Sequence, residues 1–219
     1  MIRLTGWLVL LGCSLAPATH AQSAPALVRG RWALGLSIGV SNFSSVTRGK
    51  DSDGATLEFA PYRPTMWGLG VAYGREHFRL AVAARYGQAG LRVQGLGDDA
   101  AGTPGASVIA PNALDVAVFT AALSTRLVRL RGGPALRPSL ALGLERWTGA
   151  GSPTRTILGG QAGMTLEVVL TRAFVATLEG ELGFTPASPF RKEDLPVGFK
   201  LLSAWRRTLA AGVYWRFGR

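Results

Sequence analysis

The sequence predicts an all-β protein of eight antiparallel strands, on three observations. Apolar residues recur at every second position in eight separate runs. The links between those runs alternate short and long. Gly is also frequent, at 29 of 219 residues with no G-x-y period, which points to crowded or tightly turned β structure.

The runs follow in order. Trp32, Leu34, Leu36, Ile38 and Val40 alternate with Ala33, Gly35, Ser37, Gly39 and Ser41. Trp67, Leu69, Val71 and Tyr73 alternate with Gly68, Gly70, Ala72 and Gly74, and Phe78, Leu80, Val82, Ala84 and Tyr86 alternate with Arg79, Ala81, Ala83 and Arg85. The fourth run, DVAVFTAALSTRLVRL, puts Phe119, Ala121, Leu123 and Leu127 on one face but Val116 and Val118 on the other. A bulge or a slipped register would reconcile them. In the fifth, Leu136, Leu140, Leu142 and Leu144 oppose Ser139, Ala141, Gly143 and Glu145. In the sixth, Leu158, Ala162, Met164, Leu166 and Val168 oppose Gly159, Gln161, Gly163, Thr165 and Glu167. In the seventh, Phe174, Ala176, Leu178, Leu182 and Phe184 oppose Val175, Thr177, Glu179, Glu181 and Gly183. The last, TLAAGVYWRF, repeats the scheme.

Each run is near the length of a tilted strand that crosses a bilayer, about 9–11 residues. Tight turns are expected at Gly74–His77, Arg131–Pro134 and Thr171–Ala173, and long links at 42–65, 87–113, 146–156 and 185–203. Short and long connections therefore fall on opposite rims, and an even strand number returns both termini to the short-turn rim.

Polarity decides which face is outside. One face is bulky and apolar, and the other is small or charged. An eight-stranded lumen is only wide enough for side chains to fill, so the small and charged face is expected inside and the bulky face toward lipid. Trp32, Tyr73, Phe78, Phe174, Trp215 and Phe217 lie at one set of strand ends, and Trp67, Tyr86, Trp147, Phe184 and Trp205 near the other. Two such rows match interfacial girdles. The fold class predicted is an all-β, eight-stranded, antiparallel up-and-down transmembrane β-barrel.

Gly212, followed by Trp215 and Phe217, resembles the C-terminal assembly signal of outer-membrane barrels, although Ala210 stands where that signal carries a polar residue and Gly218 and Arg219 follow its final aromatic. With the eight strands and the loop asymmetry, the chain resembles small barrels of the OmpA/OmpX type over nearly all of residues 22–219. That resemblance implies residence in a bacterial outer membrane, contact with outer-membrane lipids and lipopolysaccharide, and delivery through the barrel-assembly machinery by the C-terminal strand. It specifies no substrate, and a monomer is expected.

The first 21 residues have the anatomy of a cleaved signal peptide: a basic MIR, an apolar core, and Thr19-His20-Ala21 before Gln22. Leu10-Leu11-Gly12-Cys13 also resembles a lipoprotein box, leaving acylation of Cys13 as the other processing route. Cys13 is the one cysteine, so a chain cut after Ala21 has no disulfide or thiolate chemistry. The formal charge of +11 is carried mostly by Arg, since Lys occurs at 50, 192 and 200 alone. Those charges are scattered along an exported chain, so anionic headgroups are expected as partners and nucleic acid is not.

The inward face is expected to carry an ion-pair network of Arg79, Arg85, Arg126 and Arg216 with Glu145, Glu167, Glu179 and Glu181, because a buried charge requires a partner. Glu179 and Glu181 share a face, as an acid/base pair would, but no nucleophile accompanies them. The one histidine after residue 21 is His77, in a turn without a nearby Ser, which argues against acyl-transfer or protease chemistry. Asp51-Ser52-Asp53-Gly54 with Glu58 lacks the remaining positions of a Ca²⁺ loop and reads as a polar turn. No enzyme activity, cofactor or metal is expected. In the last long link, Phe190, Arg191 and Lys192 form a basic-aromatic tip that suits a phosphate-bearing or protein surface, or is simply solvated. The function expected is non-catalytic, in membrane structure or surface interaction through long loops around a plugged lumen. The alternatives are a narrow channel for ions or small solutes and a secreted soluble barrel that binds an apolar ligand.

Overall fold

A computed structural model describes residues 31–50, 54–75, 77–96, 104–129, 133–149 and 153–217. The signal segment 1–21 with Cys13, and Asp51–Asp53, lie outside the described residues.

Eight long strands carry the architecture: β1 (Arg31–Phe43), β3 (Thr56–Gly74), β4 (Phe78–Leu96), β5 (Pro104–Thr125), β7 (Ala135–Gly149), β8 (Arg155–Val169), β9 (Phe174–Thr185) and β11 (Ala204–Phe217). Three short ones, β2 (Thr47–Lys50), β6 (Val128–Arg129) and β10 (Lys200–Leu201), extend it at the rims. Every neighbouring pair of long strands is antiparallel, and all but the closing pair are consecutive in the chain. The first strand pairs with both the second and the last, from Trp32↔Tyr73 on one side and Trp32↔Phe217 on the other. Between the rims the sheet is therefore a closed ring whose ladder hydrogen bonds are made internally, as a membrane-spanning sheet requires.

The bulky face is outside. Leu36, Leu142 and Leu178 are 67%, 66% and 48% exposed, whereas Glu167 is 2% exposed. That distribution contradicts a soluble barrel with an apolar ligand in its lumen. A water-soluble chain exposes apolar patches of a few hundred Å², not a continuous ring of Leu, Val, Ile and aromatic side chains.

The aromatic rows bracket this belt. Trp32 and Tyr73 stack with ring centroids 4.8 Å apart at one rim, and Phe184 and Trp205 do so at 4.8 Å at the other. From Phe174 to Phe184 is ten residues, about 33 Å along a strand and about 25 Å of height at the tilt usual for such barrels, the thickness of their lipid-facing band. Trp147 departs from the expected girdle. It points into the lumen and is 3% exposed, as its shared parity with Glu145 and Gly143 dictates.

Tight links close the short-turn rim. Arg75 N donates to Phe78 O at 2.9 Å, and Thr171 Oγ1 accepts from Phe174 N at 3.0 Å. The third link falls where expected, between Arg129 and Ala135, which pair across it, but β5 is interrupted just before it, at Arg126. Arg126 N donates to His77 O at 2.8 Å and Leu127 N to Leu136 O at 2.9 Å, after which β6 follows β7.

The long-loop rim differs more. Much of 42–65 and 87–113 is strand, because β2 pairs with β3 and the β4–β5 hairpin continues to Leu96 and from Pro104. Backbone ladders need no apolar face above a membrane, so the two-residue period fades there while pairing persists. The register of β5 runs unbroken from Ala89↔Leu114 to Phe78↔Thr125, so no bulge or slip accounts for Val116 and Val118. The shifts lie higher, between Ala89 and Leu91 and between Gln94 and Leu96, with another between Tyr62 and Thr65 of β3. Asn112 and Arg63 adopt φ of 50° and 35° beside these irregularities, as the extra residue of a bulge allows.

Candidate functional site: the lumen and its two mouths

The lumen has a charged half and an apolar half. In the charged half, side chains cross from wall to wall. Arg85 on β4 reaches β9, which is diametrically opposite in the eight-strand ring. There its Nη2 donates to Glu179 Oε2 at 2.8 Å and to Glu181 Oε1 at 2.9 Å. Thr177 Oγ1 adds a donor to Glu179 Oε1 at 3.3 Å. Nearer the short-turn rim, Glu167 on β8 gathers three guanidiniums: Arg79 in direct contact, Arg137 Nε at 2.9 Å and Arg216 Nη2 at 3.6 Å. At the long-loop end, beside the apolar residues, Glu145 on β7 pairs with Arg206 of β11 at 2.5 Å and accepts from Trp147 Nε1 at 3.3 Å.

Glycines make room for these long side chains. A Cβ on Gly68 would stand 3.0 Å from Arg85 Cγ, and one on Gly183 would stand 3.4 Å from Arg206 Nη2. Large groups and glycines thus alternate between facing positions, the arrangement a narrow cylinder demands.

The apolar half overturns the expectation that the inward face is small or charged throughout. Phe43, Met66, Leu114, Val116, Val118, Trp147 and Ile157 form one buried cluster. Phe43 meets Trp147 edge-on, with centroids 5.2 Å apart and planes at 74°. Val116 and Val118 face inward as members of this apolar cluster. Phe190 also packs against the cluster, so it is not part of an exposed tip. Its carbonyl accepts from Arg155 Nη1, and Arg191 Nη2 donates to Thr154 O at 3.3 Å, pinning the 185–203 link to the start of β8. Lys192 remains exposed, in a single 3₁₀ turn, Lys192–Asp194.

The remaining residues singled out in the sequence fall as follows. Arg126 lies past the end of β5 at the short-turn mouth, away from Arg85 and Glu145. Gly212 faces inward beside Ser37, while Trp215 and Phe217 face outward with ring centroids 5.1 Å apart. Glu58 is tied to Arg48 and to Ser45 Oγ at 2.5 Å. Arg137 and Arg206 were missed as lumen groups, although parity marked both: Arg206 shares its phase with Thr208, Gly212 and Arg216, and Arg137 with Ser139 and Glu145. Among the described residues no group of three or more His, Cys, Asp or Glu could hold a metal ion.

No family model and no curated protein sequence matches this chain. Solved structures do. Neisserial surface protein A superposes with a TM-score of 0.58 at 12% identity, over 85% of this chain and 97% of that one. The fold is that of the small outer-membrane β-barrels. Ail of Yersinia pestis (TM-score 0.48, 15% identity, 87% of this chain and 100% of that one) and OprG of Pseudomonas aeruginosa (0.47, 10%, 87% and 97%) are also similar. The outward apolar belt and inward charges give this outer-membrane barrel fold the surface that lipid requires, and the chain is an integral outer-membrane protein.

Proposed function

We propose that this barrel is a closed, non-catalytic outer-membrane protein that works through its long-loop rim. The observation that carries the reading is the division of the lumen. Cross-lumen Arg–Glu bridges occupy one half and a dry cluster around Trp147 the other, so no continuous aqueous path suits a solute. Glu179 and Glu181 both answer to Arg85, which supports a structural role for them over acid/base work.

Above the girdle, the β4–β5 hairpin continues ten residues from Tyr86 to Leu96, about 33 Å of strand. It displays Val108 and Ile109, and the 185–203 link displays Val197 beside Lys192 and Arg191. Exposed apolar groups rimmed by cations suit lipopolysaccharide phosphates and acyl chains, or a neighbouring protein surface. On this reading the partners are outer-membrane lipid and lipopolysaccharide, with β11 serving the assembly machinery and the barrel acting as a monomer.

Planar-bilayer recording tests it. The purified barrel is expected to give no steady ionic conductance, and Glu179→Gln to change nothing. A reproducible conductance step that Glu179→Gln or Arg85→Gln alters would make the protein a narrow channel instead.

A further inference from the structure

We propose that the short-turn mouth of the lumen is a binding site for a phosphoryl oxyanion. A cavity of about 210 Å³ opens there. Its described lining holds seven arginines and one carboxylate, Glu167. Three of the seven, Arg79, Arg137 and Arg216, already share that carboxylate. The other four reach the cavity from the first residue of β1, from links at the rim and from β6: Arg31, Arg75, Arg126 and Arg129.

Glu167 offers two oxygens, about four lone-pair sites, to three forks that carry about fifteen N–H donors. Seven positive charges against one negative leave six in excess among the described lining residues. Charges partly removed from water need counter-charge, and a concave low-dielectric mouth focuses their field. Converging planar guanidiniums match the bidentate geometry and multiple charge of phosphate better than they match a lone carboxylate. Trp32 of the aromatic girdle forms part of the wall, so a membrane lipid headgroup and a phosphate free in solution both reach the site.

The test uses the refolded barrel in dodecylmaltoside, which carries no phosphate, with inorganic phosphate titrated against it and followed by ³¹P NMR. Saturable broadening is expected. Arg126→Gln combined with Arg129→Gln should weaken it about tenfold or more, while Arg172→Gln, on a turn outside the cavity, should leave it unchanged. Both positions lie outside the eight long strands, and heat-modifiable gel mobility verifies that each variant is folded. A second arm adds phosphatidylglycerol to the micelles. Displacement of inorganic phosphate identifies a headgroup as the source, and undiminished binding identifies soluble phosphate. The proposal fails if phosphate shows no saturable binding, or if Arg172→Gln weakens it as much as the double variant does.

Discussion

The ring of Tyr214 fills the place where a side chain on Gly35 would be. The two residues face each other across β1 and β11, and a Cβ on Gly35 would stand 2.3 Å from two ring carbons of Tyr214. One strand further, a Cβ on Gly70 would stand 3.4 Å from the phenolic oxygen. The ring thus lies across a track of paired glycines, Gly35↔Gly70. Replacing Gly35 with Ala is overpacking, expected to cost about 1–3 kcal/mol. Urea titration in lipid vesicles should show a lowered unfolding midpoint, and adding Tyr214→Ala should restore part of the loss. No recovery in the double variant would mean that the ring and Gly35 are uncoupled.

Glu167 is the carboxylate shared by Arg79, Arg137 and Arg216. Glu167→Gln keeps the shape and removes the charge, leaving three guanidiniums facing one another. Breaking a buried pair in this way costs about 3–5 kcal/mol. Equilibrium unfolding in vesicles should show it, and Glu58→Gln, at a rim pair whose Arg48 is exposed, should cost less, about 1 kcal/mol.

Leu142 sits midway up the belt, in line with Ala121 and Val82 between the Phe78 and Tyr86 levels. Arg at a lipid-facing midplane position costs about 2–4 kcal/mol, falling toward zero at the interfaces. Leu142→Arg should therefore destabilise the folded barrel by that amount in vesicles. Trp205→Arg, at the girdle, should cost about 1 kcal/mol or less.

Trp147 anchors the dry half of the lumen against Phe43. Trp147→Ala should cost about 3–5 kcal/mol, as a buried large-to-small change does, and Trp147→Phe much less. Tryptophan fluorescence of the single variants should place Trp147 out of reach of nitroxide-labelled lipids that quench Trp67 and Trp215.

Much of the barrel was legible because period two is strict wherever one face meets lipid. Leu34, Leu36 and Ile38 against Gly35, Ser37 and Gly39 admit one register, and the inward phase of Glu145, Glu167 and Glu179 follows from it. Above the girdle the same rule loses its hold. Thr56–Ala60 and Gln88–Gly95 are strands with no lipid face to impose alternation, so they read as links. Phase also says which residues share the lumen, not which part of it is dry. Val116, Val118 and Trp147 have inward parity, yet their apolar character drew them toward the bilayer in a sequence reading. Phe190 arrives from a distant link, and no local pattern announces that packing.

The central claim is that the apolar face meets lipid. Single cysteines at Leu142 and at Gly143, its inward-facing neighbour, each introduced with Cys13 absent and coupled to an environment-sensitive fluorophore, test it in lipid vesicles. The account predicts that lipids carrying a nitroxide at mid-chain quench the label at 142 strongly and the label at 143 weakly, while aqueous iodide leaves 142 untouched. Quenching of 142 by iodide, with 143 shielded from it and lipid nitroxide without effect on 142, would contradict it.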